Sequence, residues 1–344
     1  MADLEAQEDK KLIFLIYLQA FLLGISYVLA ILQAIIILLY ILIKGYKVSL
    51  TKKQKYGVYF LLLNSIIALY YKNFLGILIN ALLIFYFFVY SFYLNLTNKT
   101  RENIENIVLY TSVFVNIAHI IYYLITKERV GYFSYFNPNY YGSYLTFIAI
   151  LSLTKSKENI KYFLIFLVSM ATIVATGSRF SLIAIILALL VYVFLNFKKI
   201  YTIILSTVIL MYSIGVYKGI FPFIRTDSIS EYLKLRMDIW YMGIKAIKTN
   251  VLLGHGTAYF YYFTNNVYAH THNILIELIL SYGLIGLLIL IILYLYDLKL
   301  NRTKIVILTL IMVHGIADYT TLWYQTLVVY MIVFTSKEEK KIDG

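Results

Sequence analysis

At least ten apolar stretches, separated by connections alternately rich and poor in lysine, restrict this chain to one kind of architecture. Seven lie at roughly 56–71, 74–96, 104–126, 139–154, 160–176, 180–197 and 200–217; three more, at 272–296, 303–317 and 322–335, follow a long polar interval. A helix needs about 20 apolar residues to cross a hydrocarbon core of about 30 Å. Residues 12–43 form a longer run, broken only weakly at Gly24-Ile25-Ser26. As one helix this run would measure about 48 Å, so it is either two short helices or one strongly tilted helix. The expectation is an all-α integral membrane protein, a polytopic bundle of about 11–12 transmembrane helices. Residues 1–344 would form a single polytopic membrane domain, because no internal repeat and no low-complexity linker divides them.

The charges orient the bundle. One series of connections carries Lys44, Lys47, Lys52, Lys53 and Lys55, then Lys99 and Arg101, then Lys155, Lys157 and Lys161. It continues with Lys198 and Lys199, then Lys299, Arg302 and Lys304, and ends with Lys337, Lys340 and Lys341. The connections between them hold only Lys72, then Lys127 and Arg129, then Arg179. Lysine-rich loops stay in the cytoplasm, so the 218–271 segment becomes one large extracytoplasmic loop. A net charge of +13 could mean a nucleic-acid partner, but its distribution along the loops points to membrane topology instead. The start, MADLEAQEDKK, is acidic to mixed, so no cleavable signal peptide is expected. The absence of cysteine excludes disulfides and thiolate metal sites.

Few residues on the outer side have chemistry to offer. Thr176-Gly177-Ser178-Arg179 interrupts an otherwise apolar stretch, with Ser178 as a candidate N-cap for the helix that follows. A guanidinium beside that helix start makes an anion site; the plainer alternative is an arginine reaching to headgroups. Arg236, Ile239, Trp240 and Gly243 recur at helical spacing, as on an amphipathic helix at the membrane surface. The 218–271 loop, which includes Arg225, carries a net +3 and suits a pyrophosphate-bearing substrate. His272 is placed at the start of an apolar helix, and on a continuous helix Gly283 and Gly286 would lie within about 20° and 40° of it. Two arginines and a helix N-terminus disfavour its imidazolium form, so the ring can act as a base. His255, His270 and His272 with Glu231 or Asp238 lack compact metal-ligand spacing, so no metal and no cofactor are expected. Glu277, about 140° round from His272, reads as pairing with a neighbouring helix, and His314 and Asp318 as a local pair or cavity wall. Tyr262, in the cluster 259–263, either stacks on sugar rings or dips into headgroups.

His272-Asn273, nine residues, Gly283, two residues and Gly286 resemble the H-[N/S/Q]-x9-G-x-x-G signature of the bacterial O-antigen polymerase and O-antigen ligase superfamily. Gly254-His255-Gly256 resembles that family's G-x-G step, Arg236 to Trp240 its R-x-x-x-W element, and Thr176 to Arg179 its first functional arginine. Asn137-Pro138-Asn139 with Gly142 resembles an N-P-N-x-x-G element, so the likeness covers roughly residues 137–290. The resemblance implies a metal-independent, inverting glycosyltransferase in the bacterial cytoplasmic membrane, its active site on the outer face. Arg179, Arg236 and His272 would be catalytic, with Arg225, Asn273, Gly254, Gly256 and Tyr262 binding substrate. Donor and acceptor would be undecaprenyl-pyrophosphate glycans held in the lipid bilayer, with a chain-length regulator and a flippase as further partners. The alternatives are a ligase acting on a lipid A core or protein acceptor, and a transporter of lipid-linked oligosaccharide.

Overall fold

The computed structural model describes residues 9–46, 50–94, 96–220, 229–297, 302–316 and 318. The chain opens with α1 (Lys10–Ile25) and α2 (Tyr27–Ile43). Ser26 adopts an extended conformation between them, so the long first run is two helices. They fold back as a hairpin: the Gln19 side chain donates to Ala30 O and that of Gln33 to Leu15 O. At the open end the Asp9 carboxylate accepts from Tyr40 and Tyr46 and also caps α1 through the N–H groups of Lys11 and Leu12. Buried amides that reach across to backbone carbonyls are how apolar helices of this length gain a fixed register.

Next come α3 (Lys52–Tyr70), α4 (Phe74–Leu94), α5 (Asn98–Thr126) and a single turn, α6 (Tyr132–Tyr135). The bundle continues with α7 (Pro138–Lys155), α8 (Ile160–Thr176), α9 (Arg179–Asn196) and α10 (Lys199–Tyr217). The outer segment supplies α11 (Ile229–Ile247) and the short α12 (Tyr259–Phe263); α13 (Ile274–Asp297) and α14 (Arg302–Gly315) complete the described chain. The expected helix at 322–335, and Arg225, lie outside the described residues. Among the described residues, four helices are long and apolar enough to cross a membrane: α5, α9, α10 and Ile274–Ile292 of α13. On α10, Ile203, Leu210 and Met211 are each at least 60% exposed, as lipid-facing side chains should be. The protein is an all-α polytopic membrane protein. Its core lies where α7, buried all round, packs against α8, α9 and α14, and it extends to the pairing of α1 with α5. A Lys155–Glu105 ion pair of 2.9 Å, both residues buried, joins α5 to α7 at their lysine-rich ends.

The α13 helix departs from expectation. Gly283 breaks it with φ 68° and ψ 179°, a conformation reserved for glycine. A break in an apolar helix frees backbone groups that lipid cannot satisfy. Residues 251–256 satisfy them: His255 N donates to Leu280 O and Gly256 N to Ser281 O, while Leu284 N and Ile285 N donate to Val251 O and Leu252 O. Asn64 Nδ2 of α3 adds a second donor to Ser281 O, at 2.9 Å. Asn80 of α4 donates to Asn64 in turn, and Thr257 Oγ1 approaches both amides and Tyr282. A Cβ on Gly283 would collide with Leu252 O, and one on Gly254 with the backbone of Ser281 and Gly283. Gly283→Ala is therefore expected to cost about 3 kcal/mol or more, from strain and a backbone collision together. Thermal unfolding in detergent should show a clear fall in Tm; an unchanged Tm would contradict the broken helix.

Candidate active site

His272 lies before the helix that was expected to begin with it. Its φ is 53°, left-handed, and α13 starts two residues later. With His272 outside the helix and Gly283 breaking it, the continuous stripe linking His272, Gly283 and Gly286 does not exist. The asparagine after the histidine is instead the helix cap: Asn273 Oδ1 accepts from the N–H groups of Leu275 and Ile276. Its Nδ2 donates to Ile316 O past the end of α14, so both ends of the side-chain amide are already engaged. Glu277, read as a partner for a neighbouring helix, accepts from Thr271 N at 2.8 Å.

The cap and the loop before it turn His272 toward Asp318. His272 Nδ1 lies 3.1 Å from Asp318 Oδ1, and His270 Nε2 lies 3.8 Å from the same oxygen. His272 N–H donates to His270 Nδ1, which leaves the His270 ring proton on Nε2, facing the carboxylate. Burial pushes His270 down to about 3, and the charges of His272 and Arg236 act the same way against the pull of Asp318. Burial alone would raise the Asp318 carboxyl. The hydrogen bond with His272 and the positive groups around it outweigh burial and hold it well below the usual carboxylate range. The sequence offers Asp318 as a local pair with His314 or as cavity wall; its N–H donates to His314 O at 3.0 Å, and its carboxylate meets a histidine 46 residues away.

Arg236, on α11, lies within electrostatic range of this carboxylate. Gly243, two turns further along the same helix face, lets α11 settle on Thr271 and Ile276 at the head of α13. Ile239 and Ala246 are buried on that face, as the amphipathic spacing predicts. Arg236 is half-buried and within electrostatic range of Asp318, Tyr140 and Tyr232. Its Nη1 is buried with no hydrogen-bond partner among the described residues. Arg179 heads α9, after Gly177 ends α8 at φ 62° and Ser178 takes the N-cap position. Ser178 makes no side-chain cap, its hydroxyl bonding Ser181 instead. Arg129 braces the turn, donating to Thr176 O and Asn139 Oδ1. The Arg179 guanidinium lies 5.1 Å above the ring of Tyr232, one helical turn before Arg236. His272 thus meets Asp318 directly and Arg179 meets Tyr232, while Arg236 lies within electrostatic range of both Asp318 and Tyr232.

The other candidates lie elsewhere or have structural work. Gly254 and Gly256 are buried against the broken α13 and against Ala68, so close packing accounts for both without substrate contact. Tyr262 is exposed, and its hydroxyl accepts from Leu75 N at the head of α4. His255 stacks on Tyr259 and shares a 2.7 Å hydrogen bond with Thr249, away from the other histidines. Asn137 caps α7, and Gly142 lets Ser178 and Ser181 approach closely. Tyr140, from the same segment, faces the Arg236–Asp318 pair; sequence reasoning assigned it no role, since its place depends on a helix almost a hundred residues away. His270, His272 and Asp318 offer three ligand atoms within 4.8 Å of one another, a possible metal set. The hydrogen bonds oppose that use: both imidazoles turn an N–H toward the carboxylate, and Arg236 adds positive charge. The arrangement suits an anion with a hydroxyl to be deprotonated beside it.

Residues 164–291 match the family model described as O-antigen ligase. The matched span runs from α8 to within α13 and carries Arg179, Arg236 and His272; Asp318 and Tyr140 fall outside it. A comparison with curated proteins finds no match.

Proposed function

We propose, from the match of residues 164–291 to the family model described as O-antigen ligase, that this chain belongs to the O-antigen ligase and polymerase superfamily and is a glycosyltransferase of the bacterial cytoplasmic membrane. It joins undecaprenyl-pyrophosphate-linked repeat units into O-antigen or capsular polysaccharide on the outer face. The observation that supports this most is the His272–Asp318 contact of 3.1 Å beside Arg236. Asp318 accepts the Nδ1 proton, which leaves the lone pair of His272 on Nε2. Nε2 takes the proton of an acceptor sugar hydroxyl as that oxygen attacks the anomeric carbon of the donor glycan. The bond to pyrophosphate breaks in line, inverting the anomeric centre. Arg236, whose Nη1 has no partner among the described residues, and Arg179 stabilise the charge growing on the departing undecaprenyl pyrophosphate. Two guanidinium groups do here what a divalent ion does elsewhere, so the reaction needs no metal.

Polymerase is favoured over ligase because the outer segment, 218–271, is short. A flippase and a chain-length regulator would be its partners, supplying lipid-linked repeats outside and setting product length. The ligase reading draws on the description of the matching family. Product length separates the two: purified protein given one lipid-linked repeat should yield a ladder of chains. A single block moved onto a core acceptor would support ligase, and movement across vesicles without any new bond would support a transporter.

A further inference from the structure

Glu277 is a carboxyl set within an apolar helix, 1% exposed. Its Oε2 reaches back six residues to accept the N–H of Thr271 at 2.8 Å, and its Oε1 is buried with no hydrogen-bond partner among the described residues. Thr271 lies between His270 and His272. The loop around it is tied at both sides: His272 N to His270 Nδ1, and Asn273 to the first turn of α13 and to Ile316 O. Among the described residues its middle residue has only Glu277 as acceptor for its backbone N–H, while His272 next to it is held at positive φ. A non-glycine residue keeps such a conformation only where its surroundings over-determine it.

We propose that Glu277 is a positioning residue: by its reach as a hydrogen-bond acceptor, not by its charge, it holds the 270–273 loop so that His272 meets Asp318. The claim deepens the glycosyl-transfer reading of this site and rests on it for its kinetic consequences. The Thr271 face also carries Gly243 of α11, so the same loop sets the seat of the helix bearing Arg236. Slackening it moves base and arginine relative to each other, and a misplacement of about 1 Å can cost roughly 10²-fold in rate.

Three substitutions separate reach from charge. Glu277→Gln keeps a carbonyl oxygen at the same reach and should retain activity within about threefold of wild type. Glu277→Asp keeps the carboxyl but is one methylene short of Thr271 N. It should lose kcat by roughly 10²-fold with the donor KM little changed, as should Glu277→Leu. Amide hydrogen exchange over residues 270–273 gives a readout independent of turnover: faster in the Asp and Leu variants, unchanged in Gln. Should Leu fail to fold, Gln against Asp still decides. A Gln variant as slow as Asp, or an Asp variant with wild-type exchange and kcat, would overturn the proposal. A wild-type enzyme that makes no glycosidic bond would refute the glycosyl-transfer reading, leaving the exchange data to judge the loop.

Discussion

His272→Ala should lower kcat for glycosyl transfer by roughly 10²–10⁴-fold, the usual worth of a positioned general base, with little change in donor KM. The asymmetry follows from geometry. In the proposed reaction the donor pyrophosphate would be held by Arg179 and Arg236, carried on α9 and α11, whereas His272 stands on the loop ahead of α13. Removing the imidazole leaves the anion seat intact and removes only the proton acceptor. Steady-state kinetics with a defined lipid-linked repeat measures the split. A rise in KM at constant kcat would make His272 a binding residue and leave the reaction without a base.

The second large effect is expected at Asp318. Its carboxylate lies 3.1 Å from His272 Nδ1, fixing which ring nitrogen carries the proton. Asp318→Asn nearly preserves shape but can turn an N–H toward Nδ1, favouring the tautomer whose proton blocks Nε2. In a serine protease the same change to a histidine's aspartate partner lowers kcat about 10⁴-fold. Here His270 Nε2 also faces the carboxylate and competes for the amide oxygen, so a loss of roughly 10²–10³-fold is expected. Asp318→Ala should lose a similar amount of activity and also stability, because half-buried Arg236 then loses the compensating charge of a nearby carboxylate. Kinetics paired with thermal unfolding separates the two variants. Full activity in Asp318→Asn would show that the His272–Asp318 contact has no part in the chemistry.

The helices were largely legible because crossing a membrane imposes a length and a composition that single residues cannot disguise. Arg236 to Gly243 was readable for a similar reason: a two-turn spacing puts both residues on one face of α11, and Gly243 lies against Thr271. The helix break at Gly283 was not readable. A glycine in an apolar run is as compatible with close packing as with positive φ, and the groups that satisfy the break come from residues 251–256 and from Asn64. For the same reason Gly254 and Gly256 resemble ligand-binding glycines in sequence and are packing glycines in space. Asp318 does bond His314 locally, its N–H donating to His314 O, but its side-chain partner His272 could not be read because the fold brings it in from 46 residues away. The His314 side chain approaches Ser181 on α9, with Nε2 3.2 Å from its hydroxyl. Local spacing located the chemistry-bearing residues; which of them meet was decided by long-range contacts between α11, the head of α13 and the end of α14.

The account stands on a base and two arginines acting together on a lipid pyrophosphate, and its most direct test is release of that leaving group. Purified protein in lipid nanodiscs, given a defined undecaprenyl-pyrophosphate repeat in the presence of EDTA, should release one undecaprenyl pyrophosphate for every glycosidic bond formed. Wild-type protein that releases none under these conditions, or releases it only when a divalent metal is restored, would contradict the account.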